Sequence, residues 1–323
     1  MNAAHQLFRS CPISRRLYHA MLRVSRPLLW AGFPGRWKFI ARFVNHPTFE
    51  PHWAGAPVRW IHGKVHGYLM PCDLGVFSGR SAYFMGRWYE ADTQSLILSL
   101  LKPGDTFVDI GANVGMASLT AARAVGPKGH IVAFEPNPAV ASIFAKTMAI
   151  NHLRNVTLHE AAVGAEDGTA RFFVPKDNHG EGSLGTDFGD RRGSFIDVRV
   201  MGPAAIESLE RCELIKIDVE GWETQVVGPL GAVIARHQPA IITEVEAQHL
   251  VRCGSSVAEL TERLSDLGYV GFRYGEVPAG RFRLKADLEP LLDVESQFAG
   301  NVLWVPAQTA SAVMRMKIVP VAR

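Results

Sequence analysis

Two acids follow two consecutive apolar segments, at a spacing typical of a nucleoside-binding α/β sheet. Asp109 lies in the first segment, residues 107–110, which a turn containing Gly111 and Gly115 follows. Glu135 directly follows the second segment, residues 130–134. Glycine lets the backbone approach a ligand closely, and an acid after the second strand can accept the protons of both ribose hydroxyls. The pattern therefore predicts a nucleoside cofactor.

The turn differs from that of a nicotinamide-binding protein. It reads G-x-x-x-G with Asn113 in the middle, not G-x-G-x-x-G. A dinucleotide needs an open helix N-terminus for its pyrophosphate, whereas S-adenosylmethionine carries a cationic sulfonium and an amino-acid end that suit Asp109. An ordinary strand and helix with a capping aspartate is the alternative for the turn alone, and Glu135 disfavours it. The pattern favours S-adenosylmethionine over NAD.

Further segments extend this pattern along most of the chain. They read FEPNP at 134–138, AAVG at 161–164 and IKIDVEG at 215–221, with Tyr89-Glu90 and KPGD at 102–105 upstream. In this order and spacing they resemble the FkbM family of S-adenosylmethionine-dependent methyltransferases. The resemblance implies an α/β, Rossmann-like class I fold whose seven-stranded, mainly parallel sheet has helices on both faces. It also implies methyl transfer to a hydroxyl on a sugar, glycan, lipid or polyketide-like small molecule.

The resemblance also assigns residues to the cofactor. It places the turn at the methionine end, Glu135 at the ribose, and the residues after Glu135 beside the adenine, with backbone groups near Ala162 in place of an acid. The predicted cofactor-binding residues are Asp109, Gly111, Asn113, Gly115, Glu135, Pro136, Asn137, Ala162 and Asp218.

Acids and a lysine within later apolar segments are candidates for catalysis. Asp218 ends the fourth predicted strand and is the first candidate for a general base. Lys216 lies on the same side of that strand, either in a structural ion pair or lowering the pKa of the attacking hydroxyl. Glu244 lies inside the fifth strand, where a carboxyl group needs a partner or a role. Asp218 with Glu244 as a divalent-metal site is a weaker alternative, and we predict no metal.

An insertion between the third and fourth strands is predicted to lie near the acceptor. Segments 171–174 and 196–200 alternate like a hairpin, and the loop between them carries His179, Ser183 and many glycines, including Gly180 and Gly189. Closure over the acceptor and a catalytically idle surface loop remain alternatives. The predicted substrate-binding residues are Tyr89, Glu90, Ser183 and Glu220.

Composition indicates one large core or a core with an appendage. The 323 residues are 47% hydrophobic, with a mean hydropathy of +0.05. Cysteines at 11, 72, 212 and 253 have no C-x-x-C spacing, which favours neither zinc nor a disulfide framework. Without an apolar segment of about 18 residues or a signal sequence, we expect a cytoplasmic protein.

Charge is distributed unevenly along the chain. Residues 1–49 contain eight bases and no acid, whereas the remainder contains 26 bases and 31 acids. The first part therefore carries +8 and the rest −5. Leu17, Met21, Val24 and Leu28 form a stripe at helical spacing, so this segment is a helix packed on the catalytic body or one lying on an anionic membrane at the inner face.

The predicted organisation has three parts. A basic N-terminal extension spans residues 1–88, a methyltransferase domain spans 89–306 with the insertion at 170–200, and a C-terminal tail spans 307–323. A nucleic-acid methyltransferase that uses the basic segment, and a non-catalytic membrane-associated module that keeps a cofactor pocket, are the alternative functions. No nucleic-acid motif accompanies the charge, so the expected partner is a small-molecule or glycan hydroxyl.

Overall fold

A computed structural model describes residues 14–33, 35–176, 182–185, 192–280, 283–291 and 297–322. The strands are β1 (Val58–His62), β2 (Leu69–Asp73), β3 (Thr106–Ile110), β4 (His130–Phe134), β5 (Val156–His159), β6 (Ala162–Val163), β7 (Gly168–Pro175), β8 (Gly193–Met201), β9 (Leu214–Ile217), β10 (Ala240–Glu246), β11 (Tyr269–Pro278), β12 (Arg283–Pro290), β13 (Ala299–Pro306) and β14 (Val321–Ala322).

The α-helices are α1 (Arg15–Trp30), α2 (Arg36–Phe39), α3 (Glu50–Trp53), α4 (Phe77–Met85), α5 (Ala91–Leu100), α6 (Met116–Val125), α7 (Pro138–Ile150), α8 (Ala204–Glu207), α9 (Glu223–Val227), α10 (Gly231–His237), α11 (Ala247–Arg252), α12 (Val257–Asp266) and α13 (Ala310–Met314). Shorter helical turns lie at Ile40–Val44, Pro47–Phe49, Gly126–Lys128 and Ala307–Thr309.

Nine strands of the described residues form the central sheet, in the order β14-β12-β11-β13-β10-β9-β3-β4-β5. The neighbouring strands β5, β4, β3, β9 and β10 are parallel. Strand β13 is antiparallel to both of its neighbours, β10 and β11. Seven strands thus have the predicted class I arrangement, in which β13 is the reversed strand. The other two, β12 and β14, extend the sheet beyond β11, and β14 lies within the segment predicted as a tail.

Alternate residues of the central strands face opposite helical layers, as the two-residue period of a strand requires. Val108 of β3 packs in a cluster with residues of α9, α10 and α12. Its neighbour Phe107 packs instead with residues of α5 and α6. Both faces of the sheet are therefore covered, which explains why these strands are almost continuously apolar.

The insertion contains the predicted hairpin. β7 and β8 pair antiparallel from Gly168↔Val200 to Pro175↔Gly193, and β6 adds a third strand beside β8. Of the intervening loop, residues 176–192, only Lys176, residues 182–185 and Arg192 are described. His179, Gly180 and Gly189 lie outside the described residues, so closure of this loop over the acceptor stays a prediction.

The first helix packs on the body through a face that the sequence stripe did not indicate. Tyr18, Leu22 and Leu29 are buried, and they cluster with residues of α4 such as Phe84. The predicted stripe of Leu17, Met21, Val24 and Leu28 is exposed instead. The buried face contains the aromatic ring of Tyr18, whose hydroxyl also donates to the carbonyl of Phe43 at 2.7 Å. Among the described residues, no helix combines the length and apolar character needed to cross a bilayer.

The turn after β3 requires glycine at its first position. Gly111 has φ +81°, and a Cβ there would lie 1.8 Å from the carbonyl oxygen of Asp218. The same segment is bound to β9, because the amide of Asp218 donates to the carbonyl of Ile110 at 3.0 Å. Gly111 therefore lets the tips of β3 and β9 meet.

We expect Gly111→Ala to destabilise the protein by about 3 kcal/mol, because it adds a steric clash to the cost of positive φ. Gly104→Ala is the matched control, since Gly104 has φ +92° and a Cβ added there would meet nothing within 4 Å. The control should cost only about 1 kcal/mol. Urea unfolding of both variants measures the difference, and equal losses would contradict the close approach.

Candidate cofactor and acceptor site

A cavity of about 390 Å³ opens at the carboxyl ends of the parallel strands. Residues that end or follow β3, β4, β9 and β10 line it, together with the segment leading into α5. The carboxyl edge of a parallel sheet is where such folds bind ligands, because the chain leaves the sheet there and opens a crevice. The cavity therefore opens beside the turn after β3 and the acid after β4, the two features from which the sequence predicts a nucleoside cofactor.

The turn from Gly111 to Gly115 is fixed against the next strand. The amides of Gly111 and Ala112 both donate to the carbonyl of Phe134, at 3.0 and 2.9 Å. Asn113 has φ +52°, and its side-chain oxygen accepts from the amide of Val114 at 2.8 Å. Gly111, Ala112 and Asn113 line the cavity, so backbone is presented there without bulky side chains.

Glu135 lines the same cavity with a carboxyl group that two backbone amides hold in place. Its Oε2 accepts from the amide of Asn113 at 2.9 Å, and its Oε1 accepts from that of Asn137 at 2.8 Å. Burial raises the pKa of Glu135 to about 7, although these two hydrogen bonds oppose the shift. Each oxygen keeps a lone pair, so the group can accept two further hydroxyl protons.

Three predicted cofactor residues do not line the cavity. Asp109 is fully buried, and its Oδ2 accepts from the hydroxyl of Ser118 at 2.6 Å. Gly115 packs under Phe144, and the side chain of Asn137 caps α7 by accepting from the amide of Ala139. These residues shape the turn and the adjoining helix. The assignment of Asp109 to the methionine end is therefore not supported by its position.

Lys216 and Asp218 form a buried ion pair in the cavity wall. The Nζ of Lys216 lies 2.7 Å from Oδ2 of Asp218. Burial alone would raise the pKa of Asp218, but Lys216 outweighs it and lowers that pKa. Burial alone would lower the pKa of Lys216, and attraction to Asp218, Asp109 and Glu90 raises it instead. Both groups are therefore ionised at neutral pH.

Glu244 and Glu220 complete an acidic cluster beside this pair. Repulsion from Asp218, with burial second, raises the pKa of Glu244 well above its usual range. Glu244 is therefore protonated at neutral pH, so it can donate a hydrogen bond to Asp218. An oxygen of Glu220 lies 2.9 Å from Nδ1 of His249, and both residues line the cavity.

Among the described residues, Asp218, Glu220 and Glu244 form the group of side chains that could hold a metal ion. One oxygen each of Asp218, Glu220 and Glu244 lies within 4.8 Å of the other two. A divalent cation would have to displace the proton of Glu244 and compete with the ammonium of Lys216. The close approach of these acids is therefore explained by the proton that Glu244 shares with Asp218.

The segment leading into α5 covers the other side of the cavity. Tyr89 and Glu90 line it, as do Trp88 and Gln94. The indole of Trp88 donates to Oε2 of Glu90 at 3.3 Å, and Gln94 donates to the carbonyls of Trp88 and Glu90, both at 3.0 Å. Burial raises the pKa of Glu90 to about 7, against the attraction of Lys216. These contacts fix Glu90 facing the ion pair.

Ser183 does not line the cavity, in contrast to its predicted role at the substrate. Its hydroxyl donates to the carbonyl of Glu220 at 2.9 Å, and its backbone bonds to Phe173 of β7. Ser183 thus joins the insertion to the segment after β9. Its neighbours Gly182 and Leu184 reach the cavity wall.

Several residues at the cavity had no clear signal in the sequence. Gln94 lies one helical turn after Glu90, a spacing that could have indicated a shared face. Trp222 and Phe172 come from elements that meet only in the folded chain. The lining residues that the sequence did not indicate include Ser78, Trp88, Gln94, Met116, Phe172 and Trp222.

The strand order and the site at the carboxyl edge define a class I methyltransferase-like α/β protein. The family model described as the methyltransferase FkbM domain matches residues 109–270, just over half of the 323 residues. The chain belongs to this family.

The individual proteins that resemble this chain do so at low sequence identity and over part of its length. "Methyltransferase 1" of Beauveria bassiana (strain ARSEF 2860) is 30% identical over 148 residues, which cover 39% of this chain and 58% of that protein. The chain thus spans little more than half the length of this curated relative.

Solved structures with weak similarity include "Methyltransferase FkbM" from Methylobacillus flagellatus KT, at 13% identity and a TM-score of 0.36, covering 71% of this chain and 53% of that one. A precorrin-6y C5,15-methyltransferase from Geobacter metallireducens GS-15 has 16% identity and a TM-score of 0.38, covering 66% and 85%. TM-scores this low add nothing to the argument from the strand order.

The charge states in the wall give a prediction for Lys216. We expect Lys216→Met to lower the free energy of unfolding by roughly 3 kcal/mol at pH 8, because Asp218 must then either stay ionised without its partner or take up a proton. The loss should shrink at pH 5. Without Lys216 the folded-state pKa of Asp218 rises, so the variant gains stability relative to wild type as pH falls toward it.

Glu244→Gln is the control for this prediction, because it replaces a protonated carboxyl by an amide of similar shape. We expect it to change stability at pH 8 by about 1 kcal/mol or less. Urea unfolding at both pH values measures the two effects. A pH-independent loss in Lys216→Met would contradict the proposed charge states.

Proposed function

We propose that the protein is an S-adenosylmethionine-dependent O-methyltransferase acting on a small, neutral, polyhydroxylated acceptor such as a sugar, glycan or polyketide-like molecule, or a lipid carrying such a group. One observation carries this proposal. A single cavity brings together Glu135 and the Lys216–Asp218–Glu244 cluster. The first can hold a nucleoside, and the second can orient a hydroxyl and accept its proton.

The residues present fit the cofactor. The turn at Gly111 leaves no room for a Cβ and presents bare backbone to the cavity. Glu135 offers an acceptor on each oxygen to the ribose hydroxyls, and Pro136 and Ala162 add an apolar wall for a base. The acidic cluster offers negative charge to a cationic group. When bound, S-adenosylmethionine supplies a methyl group already activated by its sulfonium.

The acidic lining favours a neutral acceptor over a polyanion. Besides Glu135, five carboxyl groups line the cavity, from Glu90, Asp218, Glu220, Glu244 and Glu246, against the bases Lys216 and His249. Carboxylates accept hydrogen bonds from hydroxyls but repel phosphate. This argues against nucleic acid as the acceptor, and it supports a molecule with several hydroxyls.

Asp218 is the best-supported proton acceptor. It is held ionised by Lys216, while protonated Glu244 donates to it. The acidity of a hydroxyl rises as its oxygen bonds to the methyl carbon, so a carboxylate of low pKa suffices. Orientation of that hydroxyl by the surrounding acids contributes most of the remaining catalysis, since alignment alone can lower a barrier substantially.

The cofactor assignment predicts a binding defect in Glu135→Ala. We expect affinity for S-adenosylhomocysteine to fall roughly 100-fold, because two charge-assisted hydrogen bonds to the ribose are lost. Titration calorimetry measures it, with NAD expected not to bind. Glu166→Ala, at an exposed acid in the turn between β6 and β7, should bind as wild type does.

Circular dichroism must show that Glu135→Ala keeps its fold, because Glu135 also anchors two backbone amides. Wild-type affinity in the folded variant would sink the ribose assignment. Binding of NAD but not of S-adenosylhomocysteine would overturn the methyltransferase proposal as a whole.

The acceptor class predicts the chemistry of the product. With methyl-labelled cofactor and a panel of glycosides, hydroxylated macrolides and glycolipids, we expect label in a product that resists alkaline hydrolysis, as a methyl ether does and a methyl ester does not. A deoxy analogue of the active acceptor should remain unlabelled. Alkali-labile label would show that a carboxyl group is methylated instead.

A further inference from the structure

The solvent-facing side of α1 carries a row of apolar side chains. Leu17, Met21, Val24 and Leu28 are 63%, 37%, 79% and 65% exposed. Their spacing of four, three and four residues places them along one line of the helix. Isolated exposed apolar residues are ordinary, but a contiguous row marks a surface that meets something apolar.

The orientation of α1 is fixed independently of this row. Tyr18, Leu22 and Leu29 are each at most 2% exposed, and they hold another face of the helix, roughly 110° around it from the row, against residues of α4. Rotating the helix to bury the row would expose these three side chains. The exposed row is therefore a property of the folded chain.

Bases flank the apolar row on the same solvent-facing half. Arg16 and Arg23 are exposed, and at about 100° per residue they lie roughly 120° around the helix from the row. Neither makes an ion pair with an acid among the described residues. We call these two arginines, with Leu17, Met21, Val24 and Leu28, the α1 surface.

The positive charge extends past the helix. Residues 14–49 contain seven lysines and arginines and no acid. At the end of α1, the guanidinium of Arg26 and the ammonium of Lys64 lie 4.8 and 5.0 Å from the Trp30 ring. A local excess of positive charge attracts an anionic surface.

Exposed aromatic side chains connect this region to the cavity. The rings of Trp37 and Phe77, 47% and 43% exposed, lie 6.2 Å apart. Phe77 in turn lies 6.3 Å from the ring of Tyr89, which lines the cavity, as does Ser78. Apolar surface thus reaches from the N-terminal helices to the cavity wall.

We propose that the α1 surface docks on an anionic lipid bilayer, with its apolar row in the headgroup region and its arginines at the lipid phosphates. Helices with apolar and basic faces bind anionic membranes in this way. Each base near the surface contributes about 1 kcal/mol.

Two other occupants fit less well. A second copy of this chain would bring like charges together, because an isologous interface pairs a surface with itself. Nucleic acid would leave the apolar row without a partner, since it binds such helices through phosphate contacts. An anionic bilayer satisfies both the apolar and the basic part.

Co-sedimentation of the full chain with vesicles tests the proposal. We expect binding to phosphatidylcholine vesicles that contain phosphatidylglycerol, and little binding to phosphatidylcholine alone. Val24→Ser/Leu28→Ser should weaken binding at least about tenfold through lost apolar burial. Arg16→Glu/Arg23→Glu should weaken it at least about tenfold through charge reversal.

Matched controls separate this surface from general effects. Val251→Ser removes an apolar side chain that is 67% exposed on α11, and Arg154→Glu reverses an exposed charge. Both should bind as wild type does. All substitutions are at exposed positions, and circular dichroism checks the fold.

The proposal fails if wild type does not sediment with the anionic vesicles, or if both α1 variants still do. It also fails if light scattering shows a dimer that Val24→Ser/Leu28→Ser dissociates, since the face is then an interface between copies. Vesicle binding does not depend on the proposed methyl transfer, so the two proposals can fail separately.

Discussion

A single ammonium group in the interior of the sheet controls the charge of the site. Lys216 lies in the middle of β9, where it pairs with Asp218 and adjoins Asp109 of β3 across the register. Burial works against ionisation of each surrounding carboxyl group, and the attraction of Lys216 opposes burial at Asp109, Asp218 and Glu90. Without this cation, acids this close and this buried would have to take up protons.

The local parts of the site were predictable because they depend on short stretches of sequence. A buried strand, a turn that needs positive φ and an acid after the next strand are each set by a few adjacent residues. Gly111 and Glu135 therefore lie at the cavity, where the sequence placed them. The strand order followed from the family resemblance rather than from periodicity, and the reversed strand β13 is observed.

Residues whose roles depend on depth or on distant contacts were harder to predict. Asp109 lies two residues before Gly111 in sequence but is fully buried, because alternate residues of β3 face different layers. Ser183 joins the insertion to the chain after β9 instead of facing the cavity. In α1, periodicity identified a stripe correctly but could not tell which side of the helix the rest of the protein covers.

The last described residues form β14, a short strand at one edge of the central sheet. Val321 is buried and pairs with Leu284 of β12, and the amide of Val319 donates to the hydroxyl of Ser99 on α5. Removing residues 319–322 would leave more of β12 with unpaired backbone groups, and an unpaired edge can recruit strands from other molecules. The two-residue strand β14 pairs with the first residues of β12 and shortens the unpaired part of that strand, so we expect versions of the chain that lack it to self-associate more readily while keeping the cavity.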